Sequence, residues 1–276
     1  MPVQRPTRPT LEELRAVVQP PEVLGRATAE HWTGTLYMRR FSIHLTRLLL
    51  RTPITANGVT VLMIIAGVLA GPALLLPGLW GPLLAVLLTQ VQMLVDCSDG
   101  EVARWRGTSG PRGPFLDQIG HYTAEGSIGL FLGLRATGYV VGERDATSAF
   151  AFLAVGALLL AGIWFNKSLN LMVPVARLSA GAERLPDAAA SRRVAPTTIV
   201  GRLRRLAGFL PFHRMFHSIE LTLVTLAVAL VAWPFGSPLI VDRVFAVTMA
   251  VAIYVVCVGH FVAIWASPRL AREDAT

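Results

Sequence analysis

Six stretches of about twenty mostly apolar residues constrain this chain more than any other feature. They run over about 55–76, 79–98, 114–134, 147–171, 216–235 and 242–266 of the 276 residues. About twenty apolar residues is the length of helix needed to cross the hydrocarbon layer of a bilayer. Composition agrees: 53% of residues are hydrophobic, 15% are charged, and the mean hydropathy is +0.55. A soluble domain carries about 25% charged residues, so a cytosolic enzyme and a disordered chain are both excluded. The spacing predicts an all-α integral membrane protein with six transmembrane helices. Two cysteines, Cys97 and Cys257, sit in apolar runs and exclude a disulfide framework.

The first 52 residues are polar, arginine-rich and proline-rich, and read as an N-terminal arm. Within them Met38, Phe41, Leu45, Leu48 and Leu49 recur at helical spacing, with Arg39, Arg40 and Arg47 elsewhere. That pattern predicts an amphipathic helix over 38–50 lying on the membrane surface ahead of the first span. Residues 53–268 form the six-helix domain, with a long connection at about 173–214, and 269–276 form a tail. Ile199, Leu203 and Leu206 share one face with Arg202 and Arg205 on another. A second surface helix is expected there.

Of the 25 Lys and Arg, 22 fall on one side of a six-span topology; only Arg135, Arg144 and Arg243 fall on the other. The positive-inside rule then places both termini and the 2–3 and 4–5 connections in the cytoplasm. The net charge of +8 in so apolar a chain points to anionic lipid as the partner, not nucleic acid. Arginine in great excess over the single lysine, Lys167, suggests GC-rich coding and a bacterial inner membrane. Gly67/Gly71 and Gly129/Gly133 are GxxxG pairs, which permit close helix packing and a homodimer.

Charges inside spans are costly and usually functional. Asp96, Asp99, Asp117, Glu125 and Glu220 fall within the predicted spans or at their edges. Asp96 and Asp99 are three apart and share a helix face. Asp117, His121 and Glu125 step by four and share a stripe on the next helix. Two oxygen-rich faces thus meet at the cytoplasmic end of spans 2 and 3. Hard divalent cations would neutralise them, and oxygen ligands suit Mg²⁺ or Mn²⁺. Gly100 and Gly113 let a ligand approach the backbone, and Arg104 and Arg112 complement phosphate. The pattern suggests a metal-bound diphosphate. A structural network of Asp and Arg at a helix turn is the plainer alternative. Lys167 and Arg177, near the cytoplasmic end of span 4, are candidates to bind a phosphorylated acceptor; snorkelling to headgroups is their plainer role. Glu220 reads as a polar interhelical contact, and His31, His44 and His260 carry no assigned role.

The run Asp96-Cys97-Ser98-Asp99-Gly100-Glu101-Val102-Ala103-Arg104, followed after eight residues by Gly113, then Asp117 and His121, resembles the CDP-alcohol phosphotransferase signature DxxDGxxAR-x8-GxxxDxxxD. Seven of its eight fixed positions agree. Thr55-Ala56-Asn57 with Thr60 is similar to the TPNxxT that opens the family's first span. The resemblance implies transfer of a substituted phosphate from a CDP-alcohol donor, CDP-diacylglycerol in the first instance, to an alcohol acceptor with release of CMP. It implies a two-metal site held by Asp96, Asp99 and Asp117. It also implies a cytidine site at Asn57, Thr60, Gly100, Ala103, Arg104 and Gly113, at the cytoplasmic face.

Two positions depart from the family. Ala56 stands where it has proline, and His121 where it has the fourth aspartate, its general base. Three readings of His121 stay open: a base in an active enzyme, an orienting group with Glu125 as the base, or a degenerate site that binds nucleotide without turnover. A cation- or proton-coupled transporter is the rival class, since intramembrane carboxylates also carry ions. Against it, these acids gather at one face and do not line a path across the bilayer.

Overall fold

The computed structural model of the protein describes residues 5–20, 31–143, 145–182, 214–235 and 238–270. Among them the regular structure is entirely helical. A short helix α1 (Leu11–Val18) comes first. A π-helical turn (Gly34–Met38) leads into α2 (Arg39–Leu49). The long helices follow: α3 (Ala56–Ala73), α4 (Trp80–Arg106), α5 (Arg112–Ala136), α6 (Ala146–Ser179), α7 (Ser218–Ala232) and α8 (Pro238–Trp265).

Each of the six apolar runs is thus occupied by a helix. Four contain a segment long and apolar enough to cross a membrane: α3, α4, α6 and Leu239–Trp265 of α8. The other two fall short for different reasons. Helix α7 has 15 residues. Helix α5 has 25, about 38 Å at 1.5 Å per residue, but Arg112, Asp117, His121, Glu125 and Arg135 interrupt its apolar character. Two helices overrun their apolar runs. Helix α4 continues through the acidic motif to Arg106 and stops at Gly107, whose φ of 65° is left-handed and costs glycine nothing. Helix α6 runs on to Ser179, so the first residues of the segment 173–214 are helical. The second surface helix expected around 199–210 lies outside the described residues.

Side-chain caps start several helices. Thr55 accepts from the Gly58 amide, and Asp145 from those of Thr147 and Ser148. Thr10 and Glu13 form a capping box at α1. There the Thr10 backbone N–H holds the Glu13 carboxyl below its usual pKa.

The GxxxG glycines act within the chain. A Cβ on Gly67 would lie 2.6 Å from Cβ of Ala124, and one on Gly71 would overlap Ser127, so α3 lies directly against α5. Gly133 meets the backbone of Gly156, which brings α5 equally close to α6. Small residues permit this approach, and dispersion then holds helices that gain nothing from leaving lipid. An apolar cluster of Leu74, Ile128, Leu132, Leu159, Ile163 and Ile253 fills the space between them.

Arg135 locks the end of the bundle away from the acidic motif. It is buried, pairs through Nε with Asp242 at 2.9 Å, and donates to the carbonyl oxygens of Leu74, Leu76 and Gly78. One guanidinium therefore ties the α3–α4 turn to α5 and α8. Arg243, paired with Glu143 at 2.9 Å, adds a second bridge.

Helix α2 is two-faced in an unexpected way. Its buried side carries Ser42, Ile43 and Thr46, while Phe41 and Leu48 are 59% and 57% exposed. The hydroxyls turn inward because α4 presents an acidic partner, Glu101, to meet them.

Candidate active site

The acidic motif spans the last turns of α4 and the first of α5, joined by the turn at Gly107. Asp96 and Asp99 share one face of α4; Asp117 and His121 are one turn apart on α5. Close contact of α3 with both helices closes the third side. His121 Nε2 lies 3.4 Å from Oδ1 of Asp117 and 3.8 Å from Oδ1 of Asp96. One ligand atom each from Asp96, Asp117 and His121 lies within 4.8 Å of the other two. Asp99 is held differently: its Oδ2 accepts a 2.6 Å hydrogen bond from Oγ1 of Thr60, on the second turn of α3. All four side chains are partly buried. The carboxylates are oxygen donors of the kind that hard divalent cations such as Mg²⁺ or Mn²⁺ take, and the imidazole beside them is a softer donor. A cation would offset the repulsion among acidic groups this close.

A family model for CDP-alcohol phosphatidyltransferase matches residues 53–268. The chain belongs to that family. No curated protein matches it. The family is one of transferases, whose substrates are a CDP-alcohol and a second alcohol at a lipid membrane. The family generally depends on a divalent metal, which agrees with the Asp96, Asp117 and His121 cluster.

The remaining sequence-derived candidates are placed as follows. Gly113 opens α5, and a Cβ there would meet nothing within 4 Å. Gly100 lies beneath Arg104, whose Nη1 is 3.1 Å from the position of a Gly100 Cβ. Ala103 and Asn57 are partly buried, Asn57 on the first turn of α3 below Thr60.

Glu125, one turn beyond His121, is buried and bound up in an ion pair. Its Oε1 accepts from Lys167 Nζ at 2.7 Å, and His217 Nδ1 is 3.7 Å from the same oxygen. The lysine also lies over the Tyr122 ring, 5.6 Å from its centroid. The structure does not bring Lys167 and Arg177 together. They are ten residues apart on α6, about 15 Å along its axis. Arg177 is buried and donates to the Arg269 carbonyl.

Two arrangements join residues whose pairing the sequence does not indicate. His31 pairs with Glu220 at 2.8 Å, and Trp32 Nε1 donates to the same carboxylate, so residues before α2 cover the start of α7. Glu101, inside the motif but facing away from the aspartates, is fully buried. It accepts from Gln19, Arg39, Ser42 and Thr46. A glutamate just beyond an apolar run hints at a partner; which partner, the sequence does not say.

Proposed function

We propose that this protein transfers a substituted phosphate from CDP-diacylglycerol to a second alcohol and releases CMP, in phospholipid or related phosphodiester synthesis. The observation that carries the reading is the convergence of side-chain donor atoms of Asp96, Asp117 and His121 within 4.8 Å of one another in a chain of this family.

Asp96, Asp99 and Asp117 would hold two Mg²⁺ or Mn²⁺ ions. When bound, such ions stabilise charge on the attacking and leaving oxygens of the phosphoryl transfer. The residues do the rest. Thr60 fixes the Asp99 carboxylate by hydrogen bond. Gly100, Ala103, Gly113 and Asn57 leave room for cytidine, and Arg104 complements the diphosphate. His121 accepts the proton of the acceptor hydroxyl; that oxygen bonds to the phosphorus carrying the diacylglycerol. The bond from this phosphorus to the bridging oxygen breaks, and CMP leaves with the electron pair. The 3.4 Å contact with Asp117 orients the imidazole and stabilises its protonated form. Glu125 keeps Lys167 beside this site, where the lysine faces the acceptor.

The same reading places six helices across an inner bacterial membrane, with both termini and the active site at the cytoplasmic face. Its support is the arginine distribution and the gathering of α1, α2 and the motif at one end of the bundle, with the Arg135 lock at the other. The exposed Phe41 and Leu48 of α2 would lie in the headgroup layer.

The deciding measurement is CMP release by purified protein from CDP-diacylglycerol and from soluble CDP-alcohols. Each is offered with inositol, inositol phosphate, glycerol phosphate and serine. CMP formation that requires both an acceptor and a divalent cation supports the reading. A protein that binds CMP or CDP-diacylglycerol but turns over nothing across the panel is the degenerate relative that histidine at position 121 allows.

A further inference from the structure

The N-terminal arm is bound to the back of the motif helix by contacts that no property of the motif requires. Arg5 donates to the carbonyls of Arg104 and Trp105, both at 2.8 Å, and Trp105 Nε1 donates to the Pro6 carbonyl at 3.1 Å. Arg47 of α2 holds the Pro9 carbonyl at 2.9 Å. Leu14 and Val18 of α1 are fully buried against Ile43, Val102 and Trp105. The arm is a packed part of the bundle.

One of these contacts reaches the motif itself. Arg104 Nε donates to the carbonyl of Val18 at 2.9 Å. Val18 is the last residue of α1, where helix carbonyls lack partners within the helix. The guanidinium then lies back along α4 over Gly100, one turn earlier. The residue after Val18 sets where its carbonyl sits. Gln19, 7% exposed, donates through Nε2 both to Oε1 of Glu101 at 2.8 Å and to the Arg39 carbonyl at 2.9 Å. Glu101 is in turn fixed by Ser42 and Thr46, both at 2.7 Å, and by Arg39 at 3.3 Å. A buried carboxylate with this many donors has no freedom to move, because losing any of them leaves charge uncompensated. The chain of contact runs from Glu101 through Gln19 and the Val18 carbonyl to Arg104.

We propose that Gln19 and Glu101 are positioning residues for the donor diphosphate: they fix the Val18 carbonyl where it holds the Arg104 guanidinium above Gly100. The inference rests on the donor reading given above. An arginine whose Nε is already anchored presents its planar end in one orientation, and less side-chain freedom is lost when a diphosphate binds. The arm thereby becomes a component of the donor site.

The test is a pair of double-mutant cycles in the full-length protein. Binding is measured with CMP and with short-chain CDP-diacylglycerol, and Mn²⁺ binding by electron paramagnetic resonance. Gln19→Leu should raise the donor KM roughly tenfold, in the range by which members of one hydrogen-bond network depend on each other. It should leave kcat within about twofold and Mn²⁺ binding unchanged. In Arg104→Ala and Arg104→Lys backgrounds, Gln19→Leu should add nothing to donor KM. A residue that merely supports the fold would give additive effects and would lower kcat along with donor affinity. Additive cycles, or donor binding unchanged in Gln19→Leu, overturn the proposal while leaving the donor reading intact. If the wild-type protein binds neither CMP nor short-chain CDP-diacylglycerol, the donor reading fails and this inference with it.

Discussion

His121 Nε2 stands 3.4 Å from Oδ1 of Asp117, one helical turn earlier on α5. The histidine therefore occupies the ligand space that a fourth aspartate would fill, with one negative charge fewer. If it serves as base, His121→Ala loses roughly 10²–10⁴-fold in turnover, the usual share of general base catalysis. Binding of CMP persists in that variant, because Asp96, Asp99 and Asp117 are untouched. His121→Asp restores the signature and stays active. Turnover of His121→Ala within a few-fold of wild type removes histidine from the reaction.

Thr60 tests the metal site without altering a ligand. Its 2.6 Å hydrogen bond fixes Oδ2 of Asp99. Partners that orient a metal ligand are worth about 10–100-fold in affinity or activity. Thr60→Val keeps the shape of the side chain and removes the donor. Mn²⁺ affinity should fall by that order, and Thr60→Ser should recover most of it. Asp99→Asn should be worse than Thr60→Val, since it removes ligand charge as well. Titration of Mn²⁺ by electron paramagnetic resonance decides the order.

The outline of this fold was legible because burial in lipid leaves a simple trace. Six apolar runs became six helices, and the spacing of Asp96, Asp99, Asp117 and His121 placed them on facing helices. What was not legible depends on polar residues meeting across long separations. Gln19, Ser42 and Thr46 look like ordinary polar residues of two short helices; only the packing of α1 and α2 on α4 brings them to Glu101. The pairing of Glu125 with Lys167 joins residues on different helices. The sequence offers Lys167 and Arg177 together as candidates for a phosphorylated acceptor, yet ten residues of helix hold them apart. The glycine pairs were visible, but nothing local distinguishes an internal helix contact from a dimer face.

Gly133 carries a packing prediction. Its Cα lies so close to the Gly156 backbone that no side chain fits between them. Gly133→Leu must push α5 away from α6, and overpacking of a tight contact costs about 1–3 kcal/mol or more. Its melting temperature in detergent should fall clearly. Gly113→Ala, where a Cβ meets open space, should leave the melting temperature unchanged, so that any loss it causes is in nucleotide affinity. Equal melting temperatures for Gly133→Leu and wild type would contradict the close approach of the two helices.

The buried pair of Glu125 and Lys167 separates structural from chemical roles. Glu125 has 2% of its side chain exposed and Lys167 17%, with a 2.7 Å contact. Removing one member of a buried pair leaves an uncompensated charge and costs about 3–5 kcal/mol; replacing both with uncharged groups is often neutral. Lys167→Met alone should therefore destabilise the protein strongly, and so should Glu125→Gln, although His217 at 3.7 Å offsets part of the loss in Lys167→Met. The double variant Glu125→Gln/Lys167→Met should regain most of the melting temperature. Its activity then distinguishes the remaining roles. If Glu125 only holds Lys167 in place, the double variant keeps kcat with a saturating neutral acceptor and loses affinity for a phosphorylated one. If kcat collapses in the stable double variant while His121→Ala stays active, Glu125 is the base and the imidazole only orients the site.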